Sequence, residues 1–140
     1  MRFRAATIED VEYFKEHSIN TKADRTDIQQ MDYPYTIEDD DGVLLAMGGF
    51  RMIIPSCAWC WVDLSKEGTK QIKNTYRIIR SLIDGWTKFH NVRRIQAFVR
   101  DVEINKRLAR HLGLEEECLM KNFYGDEDAF LYARITNESI

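Results

Sequence analysis

Residues 57–74, "CAWCWVDLSKEGTKQIKN", decide how the chain is read. Cys57 and Cys60 have the spacing of a zinc or redox pair, two tryptophans lie beside them, and a lysine-rich segment follows. Residues 57–64 are short, aromatic-rich and preceded by the turn residues Pro55 and Ser56, which is the pattern of a strand. Successive side chains of a strand face opposite ways, so Cys57 shares a face with Trp59 and Trp61 while Cys60 joins Ala58 and Val62. Sulfurs on opposite faces do not hold one metal ion. Neither a second Cys-x-x-Cys nor a histidine pair supplies the other ligands of a tetrahedral site, so the expectation is packed thiols and no metal. With Cys118 the cysteines number 3 in 140 residues, an odd count that favours free thiols in a reducing compartment.

Downstream of the strand the pattern turns helical. Ile72, Tyr76, Ile79, Ile83 and Trp86 recur at spacings of four and three, predicting a long helix over about residues 71–90 with that row inward. Lys66, Lys70, Lys73, Arg77 and Arg80 form a basic stripe from the preceding loop into the helix. Next come a strand at "RRIQAFV", a helix at "DVEINKRLARHL" stopped by Gly113, and a hairpin over "LEEECLMKNFYGDEDAFLYARI" turned at "YGDED".

Upstream, "FRAA" predicts a strand and "TIEDVEYFKEH" a helix. Thr7 is its N-cap, Asp10 completes a capping box, and Ile8, Val11 and Phe14 face inward. "KADRTDIQQM" predicts a second, surface helix. "YPYTIEDDDGVLLAMGGFRMIIP" predicts a hairpin whose acidic turn closes at Gly42; Asp39, Asp40 and Asp41 lack the alternating ligands of a calcium loop.

With 44% apolar and 11% aromatic residues, one domain over residues 1–140 buries an adequate core. No apolar run approaches the roughly 20 residues that span a bilayer, and "MRFRAATIED" lacks a secretory core, so a soluble, cytoplasmic protein is expected. The net charge of -3 conceals segregation: basic against acidic residues are 8 to 13 over residues 1–70, 10 to 3 over 71–113, and 2 to 7 over 114–140. A basic middle between acidic flanks suits a polyanionic partner.

The succession of strand, helix, helix, three strands, long helix, strand, helix and two strands resembles the GNAT superfamily of acyl-CoA N-acyltransferases over nearly the whole chain. The local signs are "WVDLSKEGTKQI" and "NKRLARHLGLEEE". The resemblance implies an α/β (α+β) fold, a mixed, largely antiparallel sheet of about seven strands flanked by about four helices. It also implies acetyl-CoA as co-substrate and an amine as acceptor. Backbone near Val62 and Leu64 would hold the pantetheine and thioester, and Lys66, Gly68, Thr69, Lys70 and Lys73 would meet the CoA phosphates. Asp63 would be the base that deprotonates the amine.

Two departures from the family pattern are visible. The usual loop carries Arg or Gln, two variable residues, Gly, one variable residue, then Gly or Ala. In one register Ser65 takes the Arg/Gln place and Lys70 the second small place; in the other Glu67 takes the first. A carboxylate about 4.5 Å from a phosphate charge costs on the order of 3–4 kcal/mol at an effective dielectric near 20. The second departure is Ala109, four residues before Gly113, where family members often carry a tyrosine that protonates the departing thiolate; His111 lies in the same helix.

In these losses the chain also looks similar to degenerate GNAT-like proteins of short-tailed bacteriophages. The alternative is therefore a non-catalytic interaction module of the same fold, with a virion or bacterial host protein as partner and Tyr35, Phe50, Trp59, Trp61 and Trp86 as candidate contacts. Nucleic-acid binding through Arg77, Arg80, Arg93, Arg94, Arg100, Arg107 and Arg110 ranks last, because no groove-reading or base-stacking motif accompanies them.

Overall fold

The computed structural model describes residues 1–19 and 33–136. Its elements are β1 (Arg2–Ala5), α1 (Ile8–His17), β2 (Tyr35–Glu38), β3 (Leu44–Ile54), β4 (Cys57–Leu64), α2 (Lys66–Lys70), α3 (Ile72–Phe89), β5 (Arg94–Arg100), α4 (Glu103–His111), β6 (Glu115–Tyr124) and β7 (Glu127–Ile135). The strands form a seven-stranded sheet in the order β1-β2-β3-β4-β5-β7-β6. The pairs β1–β2, β2–β3, β5–β7 and β6–β7 are antiparallel, and β4–β5 is parallel. The helix expected over residues 22–31 lies outside the described residues. Among those described, no helix is long and apolar enough to cross a membrane.

The chain divides into two compact units, Met1–Arg51 with Cys60–Ile79, and Met52–Trp59 with Arg80–Ile140. In the first, α1 opens as its sequence predicts: Thr7 N donates to Asp10 Oδ2 at 2.8 Å and Asp10 N to Thr7 Oγ1 at 3.3 Å. The inward face differs from the apolar one expected. Ile8 is 61% exposed, whereas Asp10, Phe14 and Ser18, spaced four apart, are all buried. A carboxylate can occupy that face because it is fully compensated. Arg4 donates to both oxygens at 2.8 and 2.9 Å, and Thr36 Oγ1 donates to Oδ2 at 2.8 Å. Burial pushes the Asp10 carboxyl up, but the bonds from Arg4, Thr7 and Thr36 outweigh it and hold it below the usual carboxylate range. Phe14, Ile37, Leu45, Met47, Leu64 and Ile79 are buried apolar side chains of this unit. At the β2–β3 turn Asp39 Oδ1 accepts the amides of Asp41 and Val43 at 2.9 and 3.0 Å, so the first acid of the run is spent on the turn itself.

In the second unit, β5 and β7 pair over seven positions from Arg94↔Ile135 to Arg100↔Ala129, while Cys57–Trp59 of β4 pairs with Arg94–Gln96. Ile95 and Val99 alternate into a core with Ile83, Leu112, Leu114 and Tyr132. Gly113, at φ +86°, ends α4 in the left-handed region, as its C-cap role predicts. On the other face of β5, Phe98 lies 4.2 Å between ring centroids from both Trp59 and Phe123.

Along α3 the buried line is Thr75, Ile79, Ile83 and Thr87, with Ile72, Tyr76 and Trp86 only half-buried. Apolar periodicity alone places the centre of that face one position off. Two threonines can lie inward because each hydroxyl donates to a carbonyl four residues back, Thr75 to Gln71 at 2.9 Å and Thr87 to Ile83 at 2.8 Å.

Candidate functional site

The site expected from the sequence lies where β4 gives way to α2, inside the first unit. Where a glycine-rich loop would be usual, Ser65 turns the chain directly into a short helix. Its backbone N–H donates to Leu45 O at 3.0 Å, its hydroxyl donates to Leu44 O at 2.7 Å, and the same oxygen accepts Gly68 N at 2.9 Å as an N-cap. Thr69 N donates to Ser65 O at 3.2 Å. The amides of residues 65, 68 and 69 are thus engaged within the protein. The signal that could have shown this is Ser65 itself, three residues before Gly68, a capping serine at the end of a strand.

Gly68 is required here by a close approach. It is buried, and a Cβ on it would lie 2.0 Å from Leu45 O. The absent side chain lets α2 rest against β3, which puts Lys66 and Lys70 on its outer side. Lys73, at the start of α3, is exposed as well, and Thr69 is half-buried. Glu67 is met by Lys70 at 3.0 Å, so its charge is offset locally.

Val62 is half-buried, whereas Asp63 and Leu64 are buried at 4% and 1% exposure. The Asp63 side chain accepts a hydrogen bond from Ser18 Oγ. Ser18 is wholly buried, caps α1 through Ser18 N to Phe14 O at 3.1 Å, and bridges to Ser65, while Ile19 N donates to Leu64 O at 3.0 Å. The end of α1 is therefore fastened to the end of β4, a partnership the sequence reading missed. The spacing Asp10, Phe14, Ser18 carried the hint, because it continues the buried helical stripe to the serine.

Cys57 and Cys60 behave as strand neighbours: Cys60 is buried, while Cys57 Sγ lies 3.8 Å from Gln96 Oε1. Burial, with Cys60 nearby, pushes the Tyr35 phenol well up, so Tyr35 stays protonated. In the second unit Ala109 is buried, and Arg80 donates to His111 O at 3.1 Å. Arg94, Arg100 and Arg110 pair with Glu117, Glu127 and Glu103. Much of the arginine set is thereby committed to contacts inside the unit.

No family model and no curated protein sequence matches the chain. Solved structures do. Ard1 from Thermoplasma volcanium superposes with a TM-score of 0.79 at 12% identity, covering 98% of each chain. The chain has the GNAT fold. Other GNAT structures similar to it include the ribosomal-protein-S18-alanine N-acetyltransferase from Escherichia coli, at a TM-score of 0.75 and 14% identity over 99% of this chain and 96% of that one. A mutant of the spermidine N-acetyltransferase SpeG from Vibrio cholerae gives 0.74 and 15% over 96% and 95%. At such identities the likeness establishes the GNAT fold, while activity must be argued from residues.

Proposed function

We propose that the chain is an N-acetyltransferase that moves the acetyl group of acetyl-CoA to an amine. The observation that carries this reading is the end of β4 running into a serine-capped helical turn whose outer side bears exposed Lys66 and Lys70, with exposed Lys73 following. The three ammonium groups meet the CoA phosphates, the Thr69 hydroxyl braces the turn between them by donating to Lys66 O at 2.6 Å, and Gly68 sets how closely this row lies against β3. Backbone at Val62 and Leu64 receives the pantetheine and polarises the thioester carbonyl. The amine nitrogen attacks the carbonyl carbon, Asp63 accepts its proton, the C–N bond forms and the C–S bond breaks, releasing CoA thiolate. Ala109 offers no proton, so the thiolate is protonated by solvent.

Isothermal calorimetry with millimolar acetyl-CoA tests the reading. A saturable heat is expected, together with free thiol released only when an amine is present; absence of any heat rejects it.

A second reading, a non-catalytic interaction module, is favoured by the internal engagement of the amides of Ser65, Gly68 and Thr69 and by Ala109. Its contact surface is the face of the second unit that carries Trp59, Phe98 and exposed Phe123. No heat with acetyl-CoA, combined with stoichiometric retention of one bacterial protein lost on Phe123→Ala, would favour it.

A further inference from the structure

We infer that Ser18 is a positioning residue for Asp63, a role that rests on the acetyltransferase reading above. Ser18 lies at the C-cap of α1, 45 positions from Asp63 in the chain, and is fully buried, as Asp63 nearly is. A buried hydroxyl must find a partner, and this one donates to Asp63 Oδ1. One oxygen of the carboxylate is thereby fixed and the plane of the group is set. A base must meet its proton within about 3 Å or through one water, so an unanchored carboxylate loses rate through misplacement as well as through altered basicity.

The serine is itself held in place. Ser18 N donates to Phe14 O at 3.1 Å, Ile19 N donates to Leu64 O at 3.0 Å, and Ser18 bridges to Ser65. The same contacts join the strand end carrying Asp63 to the serine that caps the lysine-bearing turn. The proposed base and the proposed phosphate contacts therefore share one anchor, the end of α1.

A purely architectural serine would make the same bonds, so the test must separate the two roles. Ser18→Ala removes only the hydroxyl oxygen. With acetyl-CoA and an accepted amine, it should lower kcat about tenfold, a part of the factor that a placed base contributes, and leave KM for acetyl-CoA unchanged. In an Asp63→Asn background, the same change should cost no further rate, because the group it positions is already gone. Equal losses in both backgrounds, or an unchanged kcat in Ser18→Ala, would overturn the inference while the acetyltransferase reading stands. A wild-type chain that turns over no amine overturns that reading, and the positioning role with it.

Discussion

At the residue scale, Gly68 and Ser65 do different work in the same turn. Gly68→Ala would set a methyl group 2.0 Å from the backbone oxygen of Leu45, which cannot turn aside as a side chain could. A destabilisation of about 3 kcal/mol or more is expected, at or above the upper end of ordinary overpacking. Ser65→Ala removes the N-cap and leaves the Gly68 amide buried, for about 1–2 kcal/mol. Urea unfolding of the two variants should show the glycine change as the larger. The order would be reversed if Gly68 were merely a flexible loop residue. That Gly68 mattered was legible from sequence through the family loop pattern. Why it matters was not, because the oxygen it makes room for belongs to β3, more than twenty positions earlier.

At the scale of elements, the start of α1 is tied to β1 and β2 through Asp10, Arg4 and Glu38. Glu38 accepts from Arg2 Nε at 2.5 Å and Arg4 Nε at 3.3 Å, and these bonds, that from Arg2 foremost, hold its carboxyl below the ordinary value. Asp10 is lowered likewise. Both groups are thus more acidic folded than unfolded. Their stabilisation is complete above the ordinary carboxylate values of 3.8 and 4.5 and drains away as pH falls through the depressed folded values. Urea midpoints measured from pH 7 down to about pH 3 should fall more steeply for the wild type than for Asp10→Asn. Parallel curves would mean that the network does not couple folding to protons. The capping box was readable from "TIED", because its partners are three residues apart. Arg4 and Thr36 were not, since strand pairing alone brings them to Asp10.

For the whole molecule, a ligand that binds only the folded state raises its stability. Acetyl-CoA at about one hundred times its dissociation constant should add about 2.7 kcal/mol and a corresponding rise in Tm. Because the proposed contacts are exposed ammonium groups, that rise should shrink between about 0.05 and 0.5 M salt. Replacing Lys66, Lys70 and Lys73 together by alanine should abolish most of the rise while leaving the unliganded Tm within about 1 °C, since surface pairs such as Lys70–Glu67 contribute little. A triple variant that retains the full ligand-induced rise would place the phosphates elsewhere.

The seven strands in their order, the helices α1, α3 and α4 between them, the hairpin turns at Gly42 and Gly125, the cap at Thr7 and the stop at Gly113 were all determined by the sequence alone. Each depends on residues within a few positions of one another, where backbone geometry and periodicity act directly. Only the tertiary structure decided that a helix follows Ser65 without a glycine loop, that threonines lie within the buried line of α3, and that Ser18 holds Asp63. Those outcomes depend on hydrogen-bond partners far apart in the chain, and local preference carries no record of which distant donor will satisfy a buried acceptor.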